Sequence, residues 1–422
     1  MKKLFRSLIL VGLLAIYLPA KATYLLIPMD ETQKDHLKAY GVAYSFLTYD
    51  KEVEWLLNYK GGAFMAPHYD EFEKICLLKG VSFDKISDAK AQAIRDEIEN
   101  PVVNASVVKL LTAPKIAVYS PKKAQPWDDA VTMVLTYAEI PYETIFDDEV
   151  LDGKLPLYDW LHLHHEDFTG QYGKFYASYR DAQWYKDQVA EAEGIALKHG
   201  YTKVSQMKLA VVKKIRDFTL GGGFLFAMCS ATDSYDIALA ADGVDICEQM
   251  FDGDPADPAA QSKLDYSKTF AFKDFKIERN PYVYEYSNID VNPATRGVSE
   301  QNDVFVLNEF SAKWHVVPTI LTQNHQRVVK GFMGQTTAFR KELVKSNVTI
   351  MGENKSLNEV RYMHGTMGKG TWTFYGGHDP EDYRHMVGEP PTDLALHPNS
   401  PGYRLILNNI LFPSAKKEKQ KT

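Results

Sequence analysis

Apolar and polar positions along this chain alternate between two periods. Short apolar runs rich in β-branched and aromatic residues predict strands over 24–29, 53–59, 115–120, 141–145, 157–163, 224–228 and 370–376. Helical spacing occupies about 30–47, most of 70–111 with a break at Asn100-Pro101, then 127–138, 206–218, 233–241 and 402–411. On the 206–218 stretch Met207, Val211, Val212, Ile215 and Phe218 share one side, and Gly221, Gly222 and Gly223 end it. The middle, 245–337, is less regular, although 282–286 and 304–307 read as strands. Sequential strand–helix–strand units predict an α/β fold: a doubly wound, mostly parallel sheet, with a smaller N-terminal α/β unit.

The 422 residues leave room for two or three cores. The expected division is a leader over 1–22, an N-terminal α/β unit over 23–111, a larger domain over 112–411 with insertions near 169–201 and 245–337, and a basic tail over 412–422. The leader reading rests on Lys2, Lys3 and Arg6 before the apolar run 8–18, then Ala20-Lys21-Ala22, a small-x-small site that predicts cleavage before Thr23. Ten or so apolar residues are too few for a bilayer span, which takes about 20. The expectation is an exported protein, periplasmic or extracellular, with no membrane span after signal cleavage. Removing four leader cations moves the net charge from −7 to −11. Such an acidic chain has no surplus cation for phosphate, so nucleic acid is not an expected partner. Three cysteines, Cys76, Cys229 and Cys247, leave at least one thiol unpaired, and spacing leaves a Cys76–Cys247 pairing open.

Candidate chemistry gathers where predicted strands end. The run 224–228 leads straight into Cys229, with Ala227 and Ala231 as small neighbours and helix formers after Asp233. A strand–nucleophile–helix turn has this pattern: the Ser230 N–H would face a developing oxyanion, and the helix N-terminus would favour a thiolate. A second strand ends in Gly376-Gly377-His378-Asp379-Pro380-Glu381. There His378 is a candidate base for the cysteine, with Asp379 or Glu381 to orient it. Asp379-Pro380 also suits a helix start. The third feature is His162-Leu163-His164-His165-Glu166-Asp167, whose imidazoles and carboxylates suit a divalent ion such as Zn²⁺ or the polar lining of a cleft. Plain burial of Cys229 is the structural alternative.

Together, the opening strand, the Gly-rich turn, the Cys229 elbow and the late Gly-Gly-His segment resemble the class I glutamine amidotransferase-like superfamily over about 115–411. The resemblance implies a flavodoxin-like sheet of amidotransferase type, with Cys229 as nucleophile and His378 as its histidine. That family's acid lies two residues past its histidine, whereas Glu381 is three past His378. Its third-strand loop is glycine-rich, whereas this chain carries the histidines, so glutamine is not the expected substrate. The layout, with Trp55 to Gly62, also resembles exported proteins labelled asparagine synthetase B. That label does not fit these residues: position 2 is Lys2 rather than cysteine, and no Ser-Gly-Gly-x-Asp-Ser loop is present. The functional expectation is an exported cysteine hydrolase acting on an amide or related acyl bond of an unidentified small molecule, with no cofactor required. The alternative is a non-catalytic envelope protein that keeps the fold for ligand binding or scaffolding.

Overall fold

A computed structural model describes residues 23–416 except 124, 292–294 and 385. The expected leader, and the end of the basic tail from 417, lie outside the described residues.

The first sheet is built from β1 (Tyr24–Ile27), β2 (Val53–Leu57), β3 (Ala63–Pro67), β4 (Asp84–Ile86) and β5 (Ser106–Leu110) in the order β4-β1-β3-β2-β5. Its residues alternate faces with the period of two that a strand imposes. Leu25, Ile27, Trp55, Leu57 and Phe64 point to one core, and Leu26, Leu56 and Met65 to another, against Ile94 and Ile98. Helices α1 (His36–Thr48), α2 (Asp70–Lys79) and α3 (Asp88–Glu99) complete this unit. Asp35, accepting from the Lys38 N–H, caps α1, so the helix starts later than the Asp30-Glu31-Thr32 signal suggests. The stretch 70–111, expected to be mostly helical, also contains β4 and β5. Ser106–Leu110, with two adjacent valines, pairs along all of β2.

The second sheet holds β6 (Ile116–Tyr119), β7 (Glu143–Ile145), β8 (Trp160–Leu163), β9 (Phe224–Met228), β10 (Val304–Leu307), β11 (Val328–Lys330), β12 (Phe339–Arg340), β13 (Thr349–Asn354), β14 (Glu359–Met367) and β15 (Gly370–Tyr375). Its order is β11-β10-β13-β14-β15-β9-β8-β6-β7, with β12 on β14. Here the expected doubly wound, mostly parallel, flavodoxin-like sheet is corrected. The first sheet is antiparallel throughout, and of thirteen strand pairings among the described residues only β6–β7, β6–β8, β8–β9 and β9–β15 are parallel. The irregular middle and the segment after it supply an antiparallel wing. Gly368-Lys369, with Gly368 at φ +61°, joins β14 to β15 too tightly for a crossover helix, so these strands must run antiparallel. The expected strand over 282–286 is instead a series of turns.

Helices α4 (Ala130–Ala138), α5 (Gln183–Lys198), α6 (Val204–Gly221), α7 (Ala231–Ala240) and α8 (Pro401–Leu411) surround this sheet. One apolar cluster joins a face of each sheet through α1, α4 and α8, while α6 and α7 cover the other face of the second sheet. Gly41 lets the two units approach closely: a Cβ there would stand 1.8 Å from the Ala138 carbonyl oxygen. Gly41→Ala is therefore expected to cost about 1–3 kcal/mol of stability through overpacking, despite the better helix propensity of alanine. An unchanged urea midpoint would refute that close contact. No helix among the described residues is long and apolar enough to cross a membrane.

Candidate active site

Because β6, β8, β9 and β15 run parallel, their carboxyl ends share one rim, where sheets of this type place ligands. Each end delivers chemistry: Asp128 and Asp129 after β6, His164 to Asp167 after β8, Cys229 after β9 and His378 after β15.

Cys229 occupies the turn into α7 at φ +49°, a left-handed conformation that is uncommon outside glycine and is held here by its surroundings. Its N–H donates to the Gly377 carbonyl at 3.1 Å, and the His378 N–H donates to Met333 O at 2.9 Å. The elbow and the histidine loop are thus tied backbone to backbone. Burial and the neighbouring His164 push the His378 pKa down, but hydrogen bonds to Asp128 and Cys229 outweigh them and leave it raised. The carboxylate partner is Asp128, with Oδ1 3.2 Å from His378 Nε2.

Neither acid expected to orient His378 is placed to do so. Asp379 accepts from the Tyr403 and Thr392 hydroxyls and the Glu381 N–H, while Glu381 pairs with His397 at 3.1 Å. The physical reason is direction: the chain turns away after His378, whereas the loop after β6 passes beside it. Asp128 was not among the residues singled out in the sequence. The signal for it was Trp127-Asp128-Asp129 immediately before a helix that follows a strand, a place where an N-cap also faces the rim.

Ser230 is fully buried, and neither its N–H nor its hydroxyl has a partner among the described residues. The next amide, Ala231 N–H, is already used by His164 O at 2.9 Å. Beside the sulfur there is therefore an unsatisfied backbone donor, the kind of group an oxyanion would satisfy.

The histidine-rich segment splits. His162 and His164 are wholly buried and both approach Asp129 Oδ2 at 3.3 Å. The His164 ring packs 4.3 Å from that of His378, and His165 stands 5.8 Å from it. Glu166 accepts from the His164 N–H at 3.1 Å; burial and then the Asp129 charge lift its pKa to about 8. Asp167 faces elsewhere, accepting from Thr169 and the Gly173 N–H to shape the start of the first insertion. Two residue groups could hold a metal ion at this rim: Asp129, His162 and His164, and His164, His165 and His378.

The insertions roof the site. Tyr284 is 45% exposed, while burial and then the charge of Cys229 push its hydroxyl pKa up. A row of rings runs from Tyr284 to Phe175 (5.7 Å), Trp127 (5.1 Å) and His165 (5.2 Å). Cys229 is left 2% exposed. A cleft beside the roof reaches His165 and Glu166 between Trp127 and Tyr172. The other thiols are buried and unbridged: burial pushes Cys76 up to about 12, and Cys247 donates to Thr169 O at 3.2 Å.

No family model matches the chain, and no curated protein matches it. Among solved structures it is similar to cytoplasmic protein STM3548 of Salmonella typhimurium, at 8% identity and a TM-score of 0.35, over 72% of this chain and 100% of that one. Cytoplasmic protein STM1381 of the same organism gives 11% identity and a TM-score of 0.35, over 72% and 100%. Gan42B, a GH42 beta-galactosidase from G. stearothermophilus, gives 11% identity and a TM-score of 0.28, over 64% of this chain and 28% of that one. At such TM-scores these likenesses assign no activity to this chain.

Proposed function

We propose that this chain is an exported cysteine hydrolase that cleaves an amide or related acyl bond. The observation that carries this reading is the row Cys229, His378 and Asp128 beside the unpartnered Ser230 N–H. In the reaction, His378 takes the thiol proton as Cys229 sulfur bonds to the substrate carbonyl carbon, and the oxygen gains charge against the Ser230 N–H. His378 then returns the proton to the leaving amine as the C–N bond breaks. Water, deprotonated by His378, releases the acid and restores the thiol. Asp128 keeps the imidazole oriented and stabilises its charged form, as a triad acid does. No step of this proposal passes through a metal ion.

A specific observation favours a second reading: the 2% exposure of Cys229 under its aromatic roof suits a non-catalytic binding or scaffolding protein. Iodoacetamide labelling of the folded protein at neutral pH separates the two. The hydrolase reading expects Cys229 to be alkylated well before Cys76 and Cys247, and Asp128→Asn to slow that labelling roughly tenfold, the equivalent of about one pKa unit of thiolate. Alkylation of all three thiols only on unfolding would favour the binding module.

A further inference from the structure

The rim holds a second constellation that the cysteine chemistry does not use. Asp129 Oδ2, one nitrogen of His162 and one of His164 lie within 4.8 Å of one another, all buried. His162 Nε2 and His164 Nδ1 each stand 3.3 Å from that oxygen, yet neither contact has hydrogen-bond alignment, and all three atoms are without a hydrogen-bond partner. A carboxylate merely accepting from two neutral imidazoles would draw the N–H groups into line, because an unmade buried hydrogen bond is costly. With His162 Nδ1 turned to a carbonyl, its Nε2 is left as an acceptor, and one ion would satisfy it together with Asp129 Oδ2 and His164 Nδ1. Around a tetrahedral zinc ion with bonds of about 2.0–2.1 Å, ligand atoms are spaced by roughly 3.3 Å, the separation of each imidazole nitrogen from Asp129 Oδ2.

The far sides of two of these residues are braced as metal ligands are. Asp129 Oδ1 accepts from the Val131 and Thr132 N–H groups at 2.8 and 2.9 Å, at the start of α4. His162 Nδ1 lies 3.3 Å from Phe226 O, so its other nitrogen is the one turned inward. A backbone carbonyl behind a ligating imidazole, and hydrogen bonds behind a ligating carboxylate, fix ligand direction.

We propose that Asp129, His162 and His164 bind one divalent first-row ion, with zinc as the best match to two imidazoles and a carboxylate, leaving a fourth position for water. The overlapping group His164, His165 and His378 is the weaker set, because Asp128 and Cys229 already engage His378.

The experiment uses the full chain stripped with chelator, in a His68→Ala background that removes the surface group His68, Asp70 and Glu73. Co²⁺ and Zn²⁺ are titrated separately, by visible absorption and calorimetry. One ion per chain is expected, with tetrahedral Co²⁺ bands and a dissociation constant well below about 10 µM. Asp129→Asn, which keeps a capping side chain, is expected to weaken binding by at least about 100-fold, while His165→Gln keeps it. X-ray absorption of the zinc-loaded parent should show only nitrogen and oxygen neighbours, including two imidazoles, whatever the variants' folding. No binding by the parent, a sulfur neighbour, or loss in His165→Gln with retention in Asp129→Asn would each overturn the assignment.

Discussion

Cys229→Ala is expected to abolish turnover, with kcat/KM on short acyl p-nitroanilides or any better amide substrate falling by at least about 10⁴-fold. The size follows from the role. Without a sulfur there is no acyl-enzyme, and what remains is the oxyanion donor and the binding of substrate. Asp128→Asn should cost less than removing the nucleophile, since the histidine stays within reach of the thiol and only its orientation and charge stabilisation are lost. The fold should survive Cys229→Ala: the side chain is small, and the turn is held by the N–H bond to Gly377 O rather than by sulfur packing. A variant that folds and hydrolyses as the parent does would remove Cys229 from the mechanism.

Arg296→Met is expected to lower the unfolding free energy by about 3–5 kcal/mol, the range for breaking a buried ion pair from one side. Arg296 donates two bonds to Asp303, both 2.8 Å, and two to Glu359, at 2.9 and 2.7 Å, and all three side chains are at most 5% exposed. Removing the guanidinium takes both donors from Glu359 and leaves Asp303 only the longer Arg361 contact, at 4.0 Å, and the Tyr383 hydroxyl, at 3.3 Å. The packing around Asp303 leaves little room to relax, because a Cβ on Gly331 would already lie 2.4 Å from its carboxyl carbon. The triple variant Arg296→Met, Asp303→Asn, Glu359→Gln is not expected to recover the loss, because Arg361, 1% exposed and 4.0 Å from Asp303, would then be the buried charge left unpaired. The effect reaches the rim: Glu359 starts β14, Arg361 on β14 donates to Phe332 O at 2.6 Å, and the next carbonyl, Met333 O, holds the His378 N–H. Chemical unfolding checks both variants, and a loss below about 0.5 kcal/mol, the scale of a surface change, would show that the clamp carries no stability.

What local order could specify was readable beforehand. The strand into Cys229, the small neighbours Ala227 and Ala231, the histidine at the end of β15 and the cluster after β8 are all features of a dozen residues or fewer, and the parallel strands do bring these segments to one rim. Period and propensity act over that range because they arise from backbone sterics and from which face each side chain takes. Pairing partners do not. Whether β13 and β14 join β15 as an antiparallel wing depends on ladders and turns that the composition of 338–369 leaves open, and the mostly parallel sheet expected from the βαβ units failed there. The acid of the cysteine row failed for a related reason: proximity along the chain favoured Asp379 and Glu381, while Asp128, some 250 positions earlier, holds the imidazole. A shorter separation, 33 and 35 positions, likewise hid Asp129 from His162 and His164. Residue types and their short spacings were thus settled by the amino-acid order alone, whereas which carboxylate meets which imidazole was decided only when separate strand ends converged in the folded chain, since such contacts depend on long-range packing that no local pattern encodes.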